Sequence, residues 1–354
     1  MNMIHHVSTV NGISMSKLRQ TIDYAALSTT LKSVFPFQNV LSFDFVHGGY
    51  MSQNFKVETD QGTFFLKQYR NRMNTVIHEI KEAEAFFASK GLPIISPIKD
   101  QYDRGAFWHR GHWFSLFPFV YGQSPVASRM SDEIIRELAR TLSFFHREGR
   151  TFKQRPFHVL RMATVRKFHL EQTELKRILA SKQTKTELEE RMGEVLKSKE
   201  SYIKLLNYRP EHLSLKYTHL LHGDFQYYNV FANNDSITHI YDLERACIGP
   251  PEYEVARSVM LNCFDDGWDT ENIERAKIYL SEYCKYQPLT LESFTDGMLL
   301  YAYNIIHMTW IEARYLIFGI DTQLDLFNRH VDRLEFCANS DLQSFCKEIF
   351  PQNK

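Results

Sequence analysis

The hydrophobic period of this chain changes once, near Gly122, and that change limits the fold more than any other feature. Before it, apolar residues fall in short runs: Leu41–Val46, Asn54–Glu58, Thr63–Tyr69, Phe107–Trp108 and Trp113–Val120. Runs this short and this rich in β-branched and aromatic residues predict strands, and the breaks at Gly48-Gly49, Asp60-Gln61-Gly62 and Arg110-Gly111 predict the turns of an antiparallel meander. One helix interrupts the series. Ile77, Ile80, Ala83, Phe86 and Phe87 share its face, and Gly91-Leu92-Pro93 ends it. After Gly122 the spacing is helical. Ile134, Ile135, Leu138, Leu142 and Phe145 follow Ser131, which is placed as an N-cap. Residues 165–207 predict a charged helical pair, and 273–346 a further amphipathic helical region.

The expected class is therefore α+β, a β-rich lobe over 1–120 with an N-terminal extension at 1–35, followed by a helical lobe over 121–354. A length of 354 residues suits about two domains of roughly 150. Lys plus Arg and Asp plus Glu both number 42, so no net charge draws the chain to nucleic acid or to an anionic membrane. The five cysteines, all beyond residue 246, form no C-x-x-C pair, which predicts free buried thiols in a reducing compartment rather than disulfides or a zinc ribbon. Met1–Gln20 lacks the apolar core of a signal peptide, and no run reaches the roughly 18 apolar residues of a membrane span. A soluble, cytoplasmic protein is expected.

The stretch richest in chemistry is His222-Gly223-Asp224-Phe225-Gln226-Tyr227-Tyr228-Asn229, followed by two β-rich runs, Val230–Ala232 and Ile237–Tyr241, around Asn233-Asn234-Asp235-Ser236. That turn cluster predicts a hairpin. Its closure brings Asn229 beside Asp242. An amide oxygen and a carboxylate are hard ligands that Mg²⁺ accepts while it keeps phosphates and water. Asp224 is left to face an incoming hydroxyl.

This pattern, H-G-D-x-x-x-x-N with an Asp at the end of a short hairpin, resembles the aminoglycoside phosphotransferase, choline kinase and homoserine kinase superfamily, small-molecule relatives of the protein kinases. The resemblance runs from about Val40 to Phe318 and is specific at Lys67 and at His222 to Asp242. It implies a bilobal protein-kinase-like fold and an ATP- and Mg²⁺-dependent phosphotransferase acting on an alcohol. Asp224 would orient the acceptor hydroxyl and take its proton, and Asn229 and Asp242 would hold the metal, with Glu244 joining a second ion.

The same resemblance gives Lys67 the α- and β-phosphates, with Glu79 on the next helix to hold it and Glu82 one turn along in reserve; Glu84 is a third candidate. Gly48, Gly49 and Ser52, in the loop from His47 to Asn54, would lay backbone N–H groups over the phosphates. Phe117, Phe119 and Val120 would form the hinge against adenine. Three features depart from the wider kinase pattern. Asp242-Leu243-Glu244 replaces Asp-Phe-Gly, and Glu254 stands where an aspartate usually braces the catalytic loop. Gly223 stands where a protein kinase has arginine, and too few residues follow Asp242 for a peptide-docking segment, which disfavours a protein kinase.

For the acceptor, Asp265 and Asp266 suit a cation such as an amine or an aminoglycoside, although acids that start a helix, here at 270–280, are the commoner reason for such a cluster. Trp310, with Tyr303, His307 and Arg314 at helical spacing, forms either an aromatic wall for an ammonium or a packing stripe. The expected acceptor is a homoserine- or choline-like amino alcohol, or a sugar or aminoglycoside, with no nucleic acid or membrane partner, and the chain a monomer or homodimer. The alternative is a non-catalytic binding or structural protein of the same fold, like some spore-coat relatives.

Overall fold

The computed structural model describes residues 22–46, 52–69, 73–153, 157–317, 319 and 324–352. Helix α1 (Tyr24–Val34) starts at Asp23, whose carboxylate accepts from the Ala26 backbone at 3.0 Å, an N-cap the apolar pattern did not announce. Then come β1 (Val40–Val46), β2 (Ser52–Thr59), β3 (Gly62–Tyr69), α2 (Asn74–Ser89), β4 (Phe107–His109) and β5 (His112–Pro118). The strands form an antiparallel sheet in the order β1-β2-β3-β5-β4. The run expected to reach Val120 leaves the sheet at Pro118, which pairs with Phe64 and has no N–H to carry a ladder further.

Alternation along β3 decides where Lys67 points. Phe64 and Leu66 pack with Leu27 and Leu31 of α1 on one face of the sheet. Lys67 and Tyr69 therefore face the other way, where Tyr69 packs on Ile77 and Ile80 of α2.

The rest is mostly helix: α3 (Asp132–Gly149), α4 (Val165–Ser181), α5 (Glu187–Leu205), β6 (His219–Leu221), β7 (Val230–Asn233), β8 (Ser236–Ile240), β9 (Cys247–Gly249), α6 (Pro251–Cys263), α7 (Thr270–Cys284), α8 (Leu291–His307), α9 (Trp310–Leu316), α10 (Leu324–Asn339) and α11 (Leu342–Ile349). Ser131 caps α3 by accepting from the Ile134 N–H at 3.2 Å. β7 and β8 pair as the predicted hairpin, and β6 pairs with β9 in a second two-stranded sheet. Every residue of α6 from Tyr253 to Cys263 is buried, so this helix is the axis of the helical region, packed on α7 and α8. The end of α3 lies so close to β6 that a Cβ on Gly149 would stand 2.1 Å from the Leu220 carbonyl oxygen.

Both chain segments that leave the first sheet are stitched to the hairpin. After α2, Ile95 donates its N–H to Ile240 at 2.9 Å, and Ile240 donates to Pro93 at 2.8 Å. After β5, Ala232 donates to Gln123 at 3.1 Å. The end of β8 is thereby held against the sheet that carries Lys67.

The stripe of Tyr303, His307, Trp310 and Arg314 is not one helix face. Met308 is extended between α8 and α9, so the spacing that joins the four is broken. All five cysteines are free, four of them buried and Cys284 half-buried. Among the described residues no helix is long and apolar enough to cross a membrane.

Candidate functional site

The loop after β6 is held from beneath by α6. Gly223 has φ +82°, and a Cβ there would fall 1.9 Å from the Arg245 carbonyl oxygen, so only glycine fits. The N–H of His222 donates to Glu254 at 3.2 Å, and the N–H of Gly223 donates to the other oxygen of the same carboxylate. Glu254 also lies 3.0 Å from Nε2 of the buried His146, whose Nδ1 is 2.7 Å from the Tyr283 hydroxyl. The longer side chain at this position thus reaches the loop's backbone. The His222 ring completes the loop's tether, 3.2 Å from the Tyr241 carbonyl oxygen.

Asp224 is ion-paired. Its carboxylate contacts the Arg257 guanidinium, accepts from Gln226 Nε2 at 3.0 Å, and lies 3.9 Å from Arg245 Nε. Burial pushes the Asp224 carboxyl up, but the charges of Arg257 and Arg245 outweigh burial and hold it below the usual aspartate value. Arg257 and Glu254 lie three residues apart on one face of α6, one gripping the carboxylate and the other the loop's N–H groups. Arg257 and Arg245 were not among the expected site residues. A signal for Arg257 existed: it stands one turn beyond Glu254.

The hairpin closes as its turn cluster predicts. The Tyr241 N–H donates to the Asn229 carbonyl at 3.0 Å, which sets Asn229 next to the residue that precedes Asp242. Asn229 donates Nδ2 to the Asp224 carbonyl at 2.8 Å, so its amide oxygen is directed elsewhere. Asp242 itself is left-handed, φ 66° and ψ 57°, a conformation a non-glycine residue adopts at a cost. That turn presents Asp242 and Glu244 to β3. Lys67 Nζ lies 2.9 Å from Asp242 and 2.7 Å from Glu244. Burial alone would lower the Lys67 ammonium, but the Asp242 and Glu244 carboxylates reverse that and raise it well above its ordinary value. Asp242 is correspondingly lowered by Lys67, against burial.

The expected partner Glu79 is not brought to Lys67. It sits half-buried beside the stripe formed by Ile77, Ile80, Ala83 and Phe87, whereas Glu84 lies within that stripe. Glu84 is the buried acid of α2 and pairs with Lys81 at 2.8 Å, while Lys81 also donates to the Tyr69 hydroxyl at 2.7 Å. Among the described residues, no three His, Cys, Asp or Glu side chains form a metal cluster; the expected donors are two acids and an amide. Gly48 and Gly49 lie outside the described residues, and Ser52 opens β2 opposite Tyr69. Phe117 is buried in β5 opposite Phe65, and Phe119 and Val120 follow it half-buried.

Next to the loop is a cavity of about 530 Å³, walled by Tyr227, Tyr228, Trp268, Arg329 and Arg333 among others. Asp265 and Asp266 line it; Trp310 does not, and packs instead against the helical core. Asp265 does not offer an open charge. It accepts from the Tyr227 hydroxyl at 2.5 Å and Arg333 Nη1 at 2.6 Å, with Arg329 Nη1 at 3.4 Å. Asp266 accepts from Asn272 at 2.8 Å and lies 3.4 Å from Arg275.

The family model described as a phosphotransferase enzyme family matches residues 42–289. A homoserine kinase of Methylobacterium radiotolerans is 24% identical over 273 residues, spanning 75% of this chain and 77% of that protein. Among solved structures, an amicoumacin kinase in complex with AMP-PNP, Ca²⁺ and Ami superposes with a TM-score of 0.61 at 11% identity, covering 96% of this chain and 98% of that one. A choline kinase from Cryptosporidium parvum Iowa II gives a TM-score of 0.52 at 15% identity, covering 88% of this chain and 95% of that one. At such identities the structures establish the fold alone.

Proposed function

The chain belongs to the phosphotransferase enzyme family, a premise that makes it a small-molecule phosphotransferase with an alcohol as acceptor, and on that premise we propose that it transfers the γ-phosphoryl group of ATP, with Mg²⁺, to the hydroxyl of a small amino alcohol or hydroxy amino acid. The reading rests above all on one observation: Lys67 from the sheet meets Asp242 and Glu244 from the end of the hairpin, 175 residues away from Asp242 in sequence. A scaffold gains little from a triad whose Lys67 and Glu244 are buried beside a part-buried ion pair at Asp224, since desolvation of ion pairs offsets most of their attraction.

The donor chemistry suits the group. Asn229 Oδ1, with its Nδ2 already engaged, and the Asp242 and Glu244 carboxylates make a hard-oxygen set of the size Mg²⁺ takes alongside phosphate oxygens and water. A bound divalent ion supplies charge neutralisation on the phosphates. Lys67, whose charge burial does not remove, grips the phosphates and keeps Asp242 and Glu244 in register. Phosphoryl transfer has a loose transition state, so what Asp224 must do is aim the hydroxyl. A carboxylate held ionised by Arg257 suits that task. It accepts the hydroxyl proton as the acceptor oxygen bonds to phosphorus and the bridging oxygen leaves with the diphosphate. Glu254 keeps the loop's backbone fixed throughout. Phe117, Phe119 and Val120 form the hinge, with the lobes dividing near Val120.

A coupled ADP-release assay over amino alcohols, hydroxy acids, sugars and aminoglycosides tests the reading, together with calorimetry of Mg-ATP binding. Turnover with a small alcohol and loss of Mg²⁺-dependent ATP binding in Asp242→Ala support it. Nucleotide binding without ADP release across the whole panel would turn the assignment to a binding protein.

A further inference from the structure

We propose that the acceptor carries a carboxylate, which Arg329 and Arg333 bind in the cavity beside the catalytic loop; the inference rests on the phosphotransferase reading and names the substrate class of that site. The acidic sequence Asp265-Asp266 suggests a site for a cation, but the folded charges run the other way. Asp265 is enclosed by two guanidiniums and a phenol. Immediately around Asp265 two positive charges face one negative, while the exposed Asp332 is a further acid of the lining. Asp266 is matched by Arg275 and Asn272 and adds no excess.

The donors are also in surplus. A guanidinium presents a planar fork of N–H groups suited to a carboxylate in two-point contact. Arg333 directs Nη1 to Asp265, and Arg329 directs Nη1 to Asp265 and to the Tyr228 hydroxyl at 3.2 Å. The Nε groups of both are buried without a partner and out of reach of a ligand, whereas no hydrogen bond among the described residues engages Nη2 of either arginine. Asp265 thus orients two arginines whose donors it cannot satisfy. Arg333 is nearly fully buried, so its charge acts in a low-dielectric wall where an incoming anion meets little competition from water.

The rest of the lining fits a small polar molecule better than a polycation. Trp268 stacks on Phe336 at 3.9 Å between ring centroids, closing one wall with an aromatic face. The exposed Asp332 stands at the rim and can meet an ammonium on the same molecule. Tyr227 and Tyr228 line the cavity and follow Asp224 by three and four residues, so the loop that carries the hydroxyl-aiming carboxylate forms part of the wall that the α10 arginines complete.

Three matched acceptors test this with Mg-ATP: L-homoserine, 4-hydroxybutyrate, which lacks its amine, and 3-aminopropan-1-ol, which lacks its carboxylate. The two carboxylates are expected to exceed the amino alcohol in kcat/KM by about 100-fold, because a site built around charged donors rejects the analogue that leaves them unpaired. Arg329→Gln is expected to raise the KM of the carboxylate acceptors by more than about 10-fold and to erase most of their advantage over 3-aminopropan-1-ol, with the KM for ATP unmoved. Asp265→Asn combined with Arg333→Gln asks the same of the buried arginine without stranding its partner. Equal or better turnover of 3-aminopropan-1-ol, or an unchanged preference in both variants, overturns the inference and leaves the phosphotransferase standing. Calorimetry of the three acceptors in the presence of Mg-AMP-PNP reads binding apart from turnover. Carboxylates that bind no tighter than the amino alcohol overturn the inference; carboxylates that bind while no alcohol releases ADP uphold it and sink the catalytic reading instead.

Discussion

Two groups of acids flank the catalytic loop, and they are built with opposite charge balance. At the hairpin exit two carboxylates, Asp242 and Glu244, share one lysine. In the cavity one carboxylate, Asp265, is shared by two arginines. Around Lys67 the two carboxylates outnumber the ammonium, which suits a divalent cation; around Asp265 the two guanidiniums outnumber the carboxylate, which suits an anion, with the exposed Asp332 a further acid of the lining. The acids themselves do not distinguish the two sites. What differs is the number of cations the fold delivers to each, from β3 in one case and α10 in the other.

The largest effect expected is at the hairpin side. Asp224→Asn should lower turnover by about 10³-fold or more while Mg-ATP affinity stays within a few-fold, since the lost group acts on the acceptor and not on the nucleotide. Steady-state kinetics with calorimetry check this, and unchanged turnover would remove Asp224 from the chemistry and with it the functional half of the comparison.

At the cavity side the expected loss is in stability. Asp265→Ala leaves the buried Arg333 and the partly buried Arg329 without their shared partner, at a cost of about 3 kcal/mol in urea unfolding. Asp242→Ala, by contrast, leaves Lys67 paired with Glu244 and should cost less. If the two variants unfold alike, the two sites do not differ in charge balance as described.

Next in size is Glu254→Gln. The amide keeps an oxygen for one loop N–H but turns a donor toward the other or toward His146, so both the brace and the buried His146–Tyr283 chain are disturbed. A loss of about 1–3 kcal/mol is expected, the range for a buried group left without its partner, together with a fall in kcat larger than any rise in nucleotide KM. A variant with native stability and kcat would show that the loop is held by its own turn geometry.

How legible each part was follows from the sequence distance of its partners. The hairpin and the loop are local: Asn229 and Asp242 are brought together by a turn whose residues announce it. The sheet's strands and α3 follow from apolar period and a serine cap. The three-residue strands β6 and β9 are too short for a period to register. Arg257 was within reach, one turn past Glu254, but its role depends on α6 lying directly under the loop. Asp265 could not be read correctly at all, because the charge that answers it comes from Arg333, 68 residues later. A run of acids in sequence therefore says little about the field it makes.

The smallest effect, and the most pointed test of how Lys67 is held, concerns α2. The resemblance gives Glu79 to Lys67, yet the helix stripe of Ile77, Ile80, Ala83 and Phe87 turns Glu84 inward and leaves Glu79 at its margin. Lys67 has two carboxylates within 2.9 Å already, and Glu84 is occupied by Lys81. Glu79→Gln should therefore change stability by less than about 0.5 kcal/mol and turnover by less than about 2-fold. Glu84→Gln, which strands the buried Lys81 ammonium beside Tyr69, should cost more than Glu79→Gln on the stability axis. A fall of about 10-fold or more in kcat/KM for ATP with Glu79→Gln would mean that Lys67 exchanges its hairpin partners for Glu79 when nucleotide binds. The hairpin acids would then be released to the metal at the moment it arrives, and their shared lysine would be a feature of the nucleotide-free state alone.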